Sequence, residues 1–397
     1  MTTATRDRTP WRRPMVARAT DEDHRVSTPL ELLFDLTFVV AVSQAAASLA
    51  HGLAEGHTAS ALVGYVLVFF AIWWAWMNFT WFASAYDTDD VPYRLLTLLQ
   101  MAGVLVLAAG VAPASDGYDY RTVTWGYVIM RLAMVVQWLR AGAADPERRR
   151  TARRYALGIG VLQVLWMLRL LLPREPVTVV LVSFAVLAAA ELAVPYWAER
   201  DVSTTWHPHH IAERYGLFTI IVLGECVLGA TTAFQGAAAG SGWSAALITT
   251  GAAGLVLGFA LWWLYFLREA ATGLEQRREL SFLWGYGHLI VFASLAALGA
   301  GLEVAVAAVS GHELHIGDAA VVATVAVPVA VFLVVAWCLH ATLAVAPWRD
   351  AGLVVAVTVA TLATVALPGA GVPVPVALLA VCVPTVALVS VKVAGGA

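Results

Sequence analysis

Hydrophobic residues fill most of the chain from about Thr28 to its end, in runs of the length that crosses a membrane as a helix. A spanning α-helix needs roughly 20 apolar residues. The strands of a membrane β-barrel instead alternate polar and apolar residues at every second position, which these runs do not do. The pattern therefore predicts an all-α integral membrane protein with about twelve transmembrane helices, at residues 30–53, 60–83, 93–113, 122–142, 152–173, 176–198, 212–233, 243–267, 280–308, 318–343, 351–367 and 373–393.

Composition supports the membrane class. Of the 397 residues, 60% are hydrophobic and 13% are charged, whereas about a quarter of the residues of a soluble domain are charged. The net charge of −3 indicates no nucleic-acid partner. The cysteines Cys226, Cys338 and Cys382 lie in separate spans, so we expect no disulfide framework and no thiolate metal site. The lipid bilayer is the expected partner, and the oligomeric state stays open.

The distribution of basic residues predicts the orientation. With both termini in the cytosol, twenty of the 24 lysine and arginine residues fall on the cytosolic side. Only Arg121 and Arg174 fall outside, while Arg131 and Arg169 lie within spans. Because cytoplasmic loops of membrane proteins are enriched in Lys and Arg, we expect both the N and the C terminus to be cytosolic.

The two halves of the chain share residues in the same order. Glutamate and threonine six apart open the first and seventh spans, a tryptophan pair lies in the second and eighth, and a Val-Val-x-Trp run lies in the fourth and tenth. Parallel repeats of this kind occur in transporters. We therefore predict two parallel six-helix halves, at residues 28–198 and 199–397. They follow a disordered cytosolic tail at residues 1–27, which lacks the apolar core of a signal peptide.

Three segments carry a family resemblance: ELLFDLTFV at residues 31–39, YDTDD at residues 86–90 and HIAERYGLFTIIVLGE at residues 210–225. Over about residues 25–390 the chain resembles the bacterial low temperature requirement A (LtrA) family. The resemblance implies a multi-pass protein of the bacterial cytoplasmic (inner) membrane, in a family named for a cold-growth phenotype. It implies no molecular activity.

Acidic residues inside the first span are candidate proton or cation ligands. Glu31 and Asp35 are four residues apart and so share one face of a helix. Two neighbouring carboxylates raise one another's affinity for protons, as a proton-coupled carrier requires. A purely structural interpretation of Glu31 is also open, because the helix dipole favours an acid in the first turn.

The seventh span carries a second set of candidates. Glu213 and Arg214 open it, and Glu225 lies three turns deeper, at mid-membrane depth. An ionisable group at such a depth is a functional candidate, and it needs a partner from another span. The cations at a suitable depth are His288, Arg131 and Arg169, whereas Glu191 and Glu303 lie nearer to span ends.

Two further motifs have both a structural and a functional interpretation. His207, His209 and His210 precede Glu213 at spacings that helical metal ligands use, although the triplet can simply form the helix entry. In Asp87-Thr88-Asp89-Asp90, Asp90 is expected to cap the third span, with Pro92 in its first turn and Arg94 as a possible ion partner. Alternatively, Asp87, Asp89 and Asp90 are catalytic, as a Mg²⁺-diphosphate site or as the acid motif that the pattern shares with class II terpene cyclases.

Three functions follow from these candidates. The first is a proton- or cation-coupled secondary transporter of a small molecule or ion, which uses the intramembrane carboxylates together with Glu213, Arg214, His288 and Arg131. The chain has no phosphate-binding Gly-x-x-x-x-Gly-Lys-Ser/Thr loop for ATP drive. The second is an intramembrane enzyme acting on an isoprenoid or lipid through Asp87, Asp89 and Asp90. The third is a scaffold or lipid-homeostasis factor. We expect no metal and no cofactor, apart from Mg²⁺ in the enzymatic case.

Overall fold

Helices form most of the described structure. The computed structural model describes residues 11–19, 22, 25–173, 176–344 and 350–395, and within these residues it contains no β-strand. The fold is all-α, as the sequence predicts. The helices of the described chain, numbered α1 to α14 in order, are Pro29–Ala54, Thr58–Tyr86, Val91–Ala109, Val111–Gly117, Arg121–Ala144, Arg149–Arg169, Val177–Glu199, Pro208–Ser241, Ala245–Phe266, Ala270–Gln276, Ser281–Val309, Asp318–Leu343, Ala351–Ala363 and Val374–Ala394.

Ten helices within the described residues are long and apolar enough to cross a membrane, namely α1, α2, α3, α5, α7, α8, α9, α11, α12 and α14. Each of the twelve predicted runs coincides with a helix. The two that fall short are α6, which begins with four arginines among its first six residues, and α13, which has 13 residues. The prediction of twelve spans is therefore supported for ten, and the sidedness of the termini stays a prediction.

One predicted span ends earlier than expected. The run at 93–113 is divided, because α3 ends at Ala109 and a separate short helix, α4, begins at Val111. Pro113 has no backbone N–H, so it cannot continue the hydrogen-bond ladder of α3. Proline is tolerated in the first turn of a new helix, which is its place in α4.

Side chains that cap helices mark where several of them begin. The Asp90 carboxylate accepts a hydrogen bond from the Tyr93 N–H, and Pro92 lies in the first turn of α3. The cap predicted from these two residues is confirmed. Ser244 caps α9 in the same way by accepting from the Leu247 N–H at 3.1 Å. Such caps satisfy N–H groups that the helix itself leaves without partners.

The first of two compact units comprises Met1–Ala41 and Ala71–Ile211. Within it, α3 packs against α5, α5 against α6, and α6 against α7. The axes of α3 and α5 come very close, since a Cβ added to Gly126 would lie 2.6 Å from the Gly103 carbonyl oxygen. Glycine at such a crossing lets membrane helices approach backbone to backbone.

The second unit comprises Val42–Phe70 and Ala212–Ala397. Here α11 packs against α12, α12 against α13, and α14 against both α13 and α9. The Tyr65 hydroxyl donates to the Ala293 carbonyl at 2.6 Å. The Cys226 thiol donates to the Leu295 carbonyl at 2.9 Å. These polar groups therefore have partners inside the apolar bundle.

The predicted repeat stays a prediction. Its proposed tryptophan pairs differ in environment, because Trp73 and Trp74 are buried whereas Trp262 and Trp263 are 45% and 49% exposed. The halves predicted at 28–198 and 199–397 do not coincide with the boundaries of the two compact units, which divide α1, α2 and α8.

Part of the predicted N-terminal tail lies against the helices of the first unit. The Arg18 N–H donates to the Ala85 carbonyl at 2.9 Å, and the Arg13 N–H donates to Asp90 at 2.9 Å. Met15 and Arg25 are buried. Residues 1–10, 20, 21, 23 and 24 of the predicted tail lie outside the described residues, as do Arg174 and Arg349 of the charge tally.

Candidate functional site

The candidate site begins with Glu31, whose carboxylate closes the first turn of α1. Its Oε2 accepts from the Thr28 N–H at 2.8 Å and from the Thr28 hydroxyl at 3.0 Å. In return, the Glu31 N–H donates to the Thr28 hydroxyl oxygen at 3.3 Å. This reciprocal pair is a capping box. Glu31 thus has the structural role that the sequence left open.

The other oxygen of Glu31 faces charged groups. Glu31 Oε1 lies 3.7 Å from Arg25 Nη2, and the same nitrogen lies 3.7 Å from Asp87 Oδ2. The Arg25 guanidinium also donates to the carbonyl oxygens of Ala83 and Ser84, in the last turn of α2. One buried cation therefore stands between two carboxylates and caps a helix end, where carbonyl groups lack partners within the helix.

The start of α8 contributes a histidine. His210 Nε2 lies 3.0 Å from Glu31 Oε1, and both side chains are buried. His207, the first of the triplet, donates its backbone N–H to the Ser84 hydroxyl at 3.0 Å, and its ring contacts the Glu22 carbonyl. Among the described residues, no group of three or more His, Cys, Asp or Glu side chains is arranged to hold a metal ion.

Asp87 is a strongly perturbed acid of this group. The pKa of Asp87 is raised from its ordinary 3.8 to about 6, mainly by burial, with a smaller contribution from the neighbouring Glu31 charge and a still smaller one from Asp89. The cations Arg25 and Arg18 act in the opposite direction. The carboxyl group lies just beyond the last residue of α2, and its side chain is 4% exposed. A buried acid with a pKa near 6 exchanges its proton close to physiological pH.

The other two acids of the motif have separate partners. Asp90 Oδ2 accepts from Arg140 Nη2 at 2.6 Å, in addition to its capping contacts. The expected pairing of Asp90 with Arg94 is wrong, because Arg94 forms a two-point ion pair with Asp89 at 2.7 and 2.8 Å. Asp90 is turned inward and buried, whereas Asp89 and Arg94 are exposed. The three carboxylates thus have different partners and different exposure.

Asp35 lies one turn beyond Glu31 and is fully buried. Its Oδ1 accepts from the indole N–H of Trp76 at 2.7 Å. The tryptophans of α2 thus do more than fill space, since Trp74 also donates to a buried acid. An indole N–H only donates. It therefore stabilises the ionised carboxylate and cannot accept a proton from the acid.

Glu191 is a highly coordinated acid of the first unit, although the sequence predicted only that it lies near the end of a span. Its carboxylate is fully buried and accepts from five donors on α2, α5 and α6: Trp74 Nε1 at 2.9 Å, Arg131 Nη2 at 2.9 Å, Tyr127 OH at 3.0 Å, Gln163 Nε2 at 3.3 Å and Trp166 Nε1 at 3.3 Å. Arg131 is therefore the partner of Glu191. It is not the cation that Glu225 was expected to need.

The candidates of the second unit are arranged differently. Glu225 is half-buried in α8, and its side chain makes no hydrogen bond or ion pair with any described residue. His288 is buried among aromatic rings, with Nδ1 2.8 Å from the Trp284 carbonyl oxygen and Nε2 3.0 Å from the Tyr265 hydroxyl. Since a carbonyl only accepts, Nδ1 carries the hydrogen and the Nε2 of a neutral ring accepts from Tyr265. Arg214 is buried and Glu213 is half-buried in α8.

Fold and composition together define a multi-pass helical membrane protein. The model of the bacterial low temperature requirement A protein (LtrA) family matches residues 26–389, and the chain belongs to that family. An uncharacterized protein of Rhizobium meliloti (strain 1021) is 27% identical over 305 residues, which are 72% of this chain and 70% of the relative. No solved structure matches the chain.

Proposed function

We propose that this protein is a proton-coupled carrier of the bacterial cytoplasmic membrane, and that Asp87 is the group that takes up and releases the proton. The observation that carries the proposal is the burial of Asp87 beside Glu31, which raises the pKa of Asp87 to about 6 although the Arg25 guanidinium lies 3.7 Å away. Acids with strongly perturbed pKa values cluster at functional sites.

Protonation of Asp87 changes the forces on three helix ends. While Asp87 is ionised, it competes with Glu31 for Arg25, which lies 3.7 Å from each. A proton on Asp87 removes one of the two attractions, so Arg25 is drawn toward Glu31. Arg25 caps α2 and Glu31 caps α1, and His210, at the start of α8, lies 3.0 Å from Glu31. A change of charge at one carboxyl therefore biases how the ends of α1, α2 and α8 are held, as a two-state switch requires.

The predicted orientation supports this role. The site lies at the end of the first unit where α3 begins at Val91 and α6 begins at Arg149. Arginines are dense at this end, since four of the first six residues of α6 are arginines. That end is cytosolic by the positive-inside rule. At a cytosolic pH above 6, Asp87 releases its proton, so the carrier would release protons into the cytosol.

The two alternatives differ in what supports them. An intramembrane enzyme needs Asp87, Asp89 and Asp90 to act on one substrate, and their separate partners do not favour that role. A scaffold role is favoured by Glu191, since an acid with five donors serves to hold helices together. Glu191 and Asp87 are different sites, so a rigid core around Glu191 is compatible with a switch at Asp87.

Transport is tested with the full chain in liposomes that contain a pH-sensitive dye. A pH gradient is imposed, and its decay is followed while a panel of inorganic cations and small organic solutes is added outside. We expect the wild-type protein to dissipate the gradient faster than empty liposomes with at least one solute, and Asp87→Asn to abolish this flux. Asp89→Asn is the matched control, because Asp89 is two residues away but exposed and paired with Arg94.

The controls separate the three functions. Equal flux through wild-type protein and Asp87→Asn would overturn the assignment of the proton to Asp87. Wild-type liposomes that behave as empty ones with every solute would count against a carrier. Loss of a lipid-soluble product from expressing cells in Asp89→Asn, detected by mass spectrometry, would instead indicate the enzyme.

A further inference from the structure

A polar pocket of about 310 Å³ lies at one end of the first unit. It is formed where α4 ends, α5 begins, α6 ends and α7 begins, and its lining includes Tyr120, Arg121, Arg169 and Ser183. This end is opposite the Asp87 site: Tyr86 and Trp138 place the far end of α5 beside the end of α2, with ring centroids 5.7 Å apart. At 1.5 Å per residue, α5 extends about 36 Å between the two.

Arg169 provides the pocket with a buried positive charge. The residue is 8% exposed. Its Nε donates to the Ser183 hydroxyl at 3.0 Å and its Nη2 to the Val180 carbonyl at 3.1 Å. The rings of Tyr120, Phe184 and Trp166 surround the guanidinium, with centroids 5.1 to 5.6 Å from its Cζ. These partners are all neutral, and within the described residues no carboxylate pairs with Arg169.

A buried charge without a counter-charge is costly, and proteins normally pair it. By contrast, the buried arginines Arg131 and Arg25 each have a carboxylate within 4 Å. The cation–π contacts offset part of the cost. They do not supply an anion.

Tyr120 provides a second, independent observation. The residue is 5% exposed and lines the pocket, yet its hydroxyl is buried without a hydrogen-bond partner among the described residues. Buried tyrosine hydroxyls usually have a partner. The cationic Arg169 and Tyr120, whose hydroxyl has no partner among the described residues, thus line the same pocket as the exposed Arg121. The acid of the pocket, Asp119, accepts from the Arg121 N–H at 3.2 Å.

We propose that this pocket binds the phosphate group of an anionic ligand, with Arg169 as the counter-charge and Tyr120 as a hydrogen-bond donor. Arginine suits phosphate because its planar guanidinium presents several donors at once. The volume is at the lower end of the range for ligand pockets, which fits a headgroup or a small solute. Two sources have this chemistry: the headgroup of an anionic phospholipid and free inorganic phosphate.

The exposed leucines beside the pocket favour access from the bilayer. Leu171 and Leu172, which line it, are 81% and 46% exposed, so an acyl chain can lie outside while the headgroup enters. In the predicted orientation the pocket faces the outer leaflet, on the side where Arg121 was expected.

Two variants test the proposal in purified, delipidated full-length protein. Inorganic phosphate is titrated by calorimetry, and phosphatidylglycerol binding is counted by native mass spectrometry against phosphatidylcholine. We expect Arg169→Gln to weaken binding roughly 10- to 100-fold, the loss of a charge-assisted hydrogen bond. Tyr120→Phe should weaken it roughly 3- to 10-fold without loss of stability, because its hydroxyl has no partner among the described residues. Arg150→Gln, an exposed arginine at the other end of the unit, is the matched control.

Each outcome is decisive. Binding of phosphatidylglycerol alone identifies a lipid headgroup, and binding of inorganic phosphate identifies a soluble anion; either supports the site if Tyr120→Phe weakens it. If Arg169→Gln does not fold, the binding affinity of Tyr120→Phe tests the site. Absence of binding to both probes, or equal affinity in Tyr120→Phe and wild type, would overturn the proposal.

Discussion

Removing the charge of Glu191 should destabilise the interior of the first unit. Glu191→Gln keeps the size of the side chain, so it opens no cavity. It replaces one accepting oxygen by an NH₂ group among the donors Trp74 and Arg131, and it leaves the Arg131 charge buried without its partner. The perturbation is therefore electrostatic rather than steric.

The expected loss follows from the contacts. Breaking a buried ion pair by removing one partner costs about 3–5 kcal/mol. Hydrogen bonds to a charged group contribute about 1.5–3 kcal/mol each, but the bonds from Gln163 and Trp166 are long, at 3.3 Å. Since the bonds share one acceptor and are not additive, we expect Glu191→Gln to lower the free energy of unfolding by about 3–5 kcal/mol.

Unfolding is measured in detergent micelles by circular dichroism, as a function of temperature and of added denaturing detergent. Glu147→Gln is the control, because the Glu147 side chain is 81% exposed and surface ion pairs contribute about 0–1 kcal/mol. Adding Arg131→Met to Glu191→Gln should restore part of the loss, since no buried charge then lacks a partner. A Glu191→Gln protein within about 1 kcal/mol of the wild type would refute this reasoning.

Three further predictions concern the fold and the site. Asp87→Asn should match the wild type in stability near pH 4 and exceed it above pH 6 by on the order of 3 kcal/mol. The reason is that a carboxyl pKa raised from 3.8 to about 6 contributes stability that is lost as pH rises through that range. Unfolding at several pH values measures the difference, and identical pH profiles for the two proteins would contradict the prediction. Thr28→Ala removes the capping box of α1 and should cost about 1 kcal/mol, seen as faster amide hydrogen exchange in the first turn. Gly126→Ala brings a Cβ against the backbone of α3 and should cost at least about 1–3 kcal/mol, whereas Gly160→Ala, with nothing within 4 Å of the new Cβ, should cost nothing in a thermal unfolding assay.

The helices were predictable because a bilayer leaves no alternative for long apolar runs. Without water, each backbone N–H and C=O must find a partner within its own helix, so hydrophobic length alone locates the elements. The cap of α3 was predictable for a local reason: Asp90 followed by Pro92 satisfies the first turn whatever else surrounds it. Features determined by a few neighbouring residues are visible in the sequence.

The contacts of the site were not visible in the sequence, since they depend on which helices are neighbours. Arg25 precedes the first apolar run, so the sequence identifies it only as a basic residue of the N-terminal tail. In the structure it is buried between two carboxylates. Arg131 and Glu191 lie in separate spans, and nothing in either run identifies α5 and α7 as contributors to one network. The Tyr120 hydroxyl has no hydrogen-bond partner among the described residues, and this too depends on how the helices pack.

The ionisation of Asp87 is the most direct test of the central claim. Infrared difference spectra of the full-length protein in lipid nanodiscs, with isotope-labelled aspartate, are recorded between about pH 4 and pH 8. We predict a protonated-carboxyl band that titrates near pH 6, is absent in Asp87→Asn and is retained in Asp89→Asn. A band with a midpoint near the ordinary aspartate value, or one that persists in Asp87→Asn, would contradict the account.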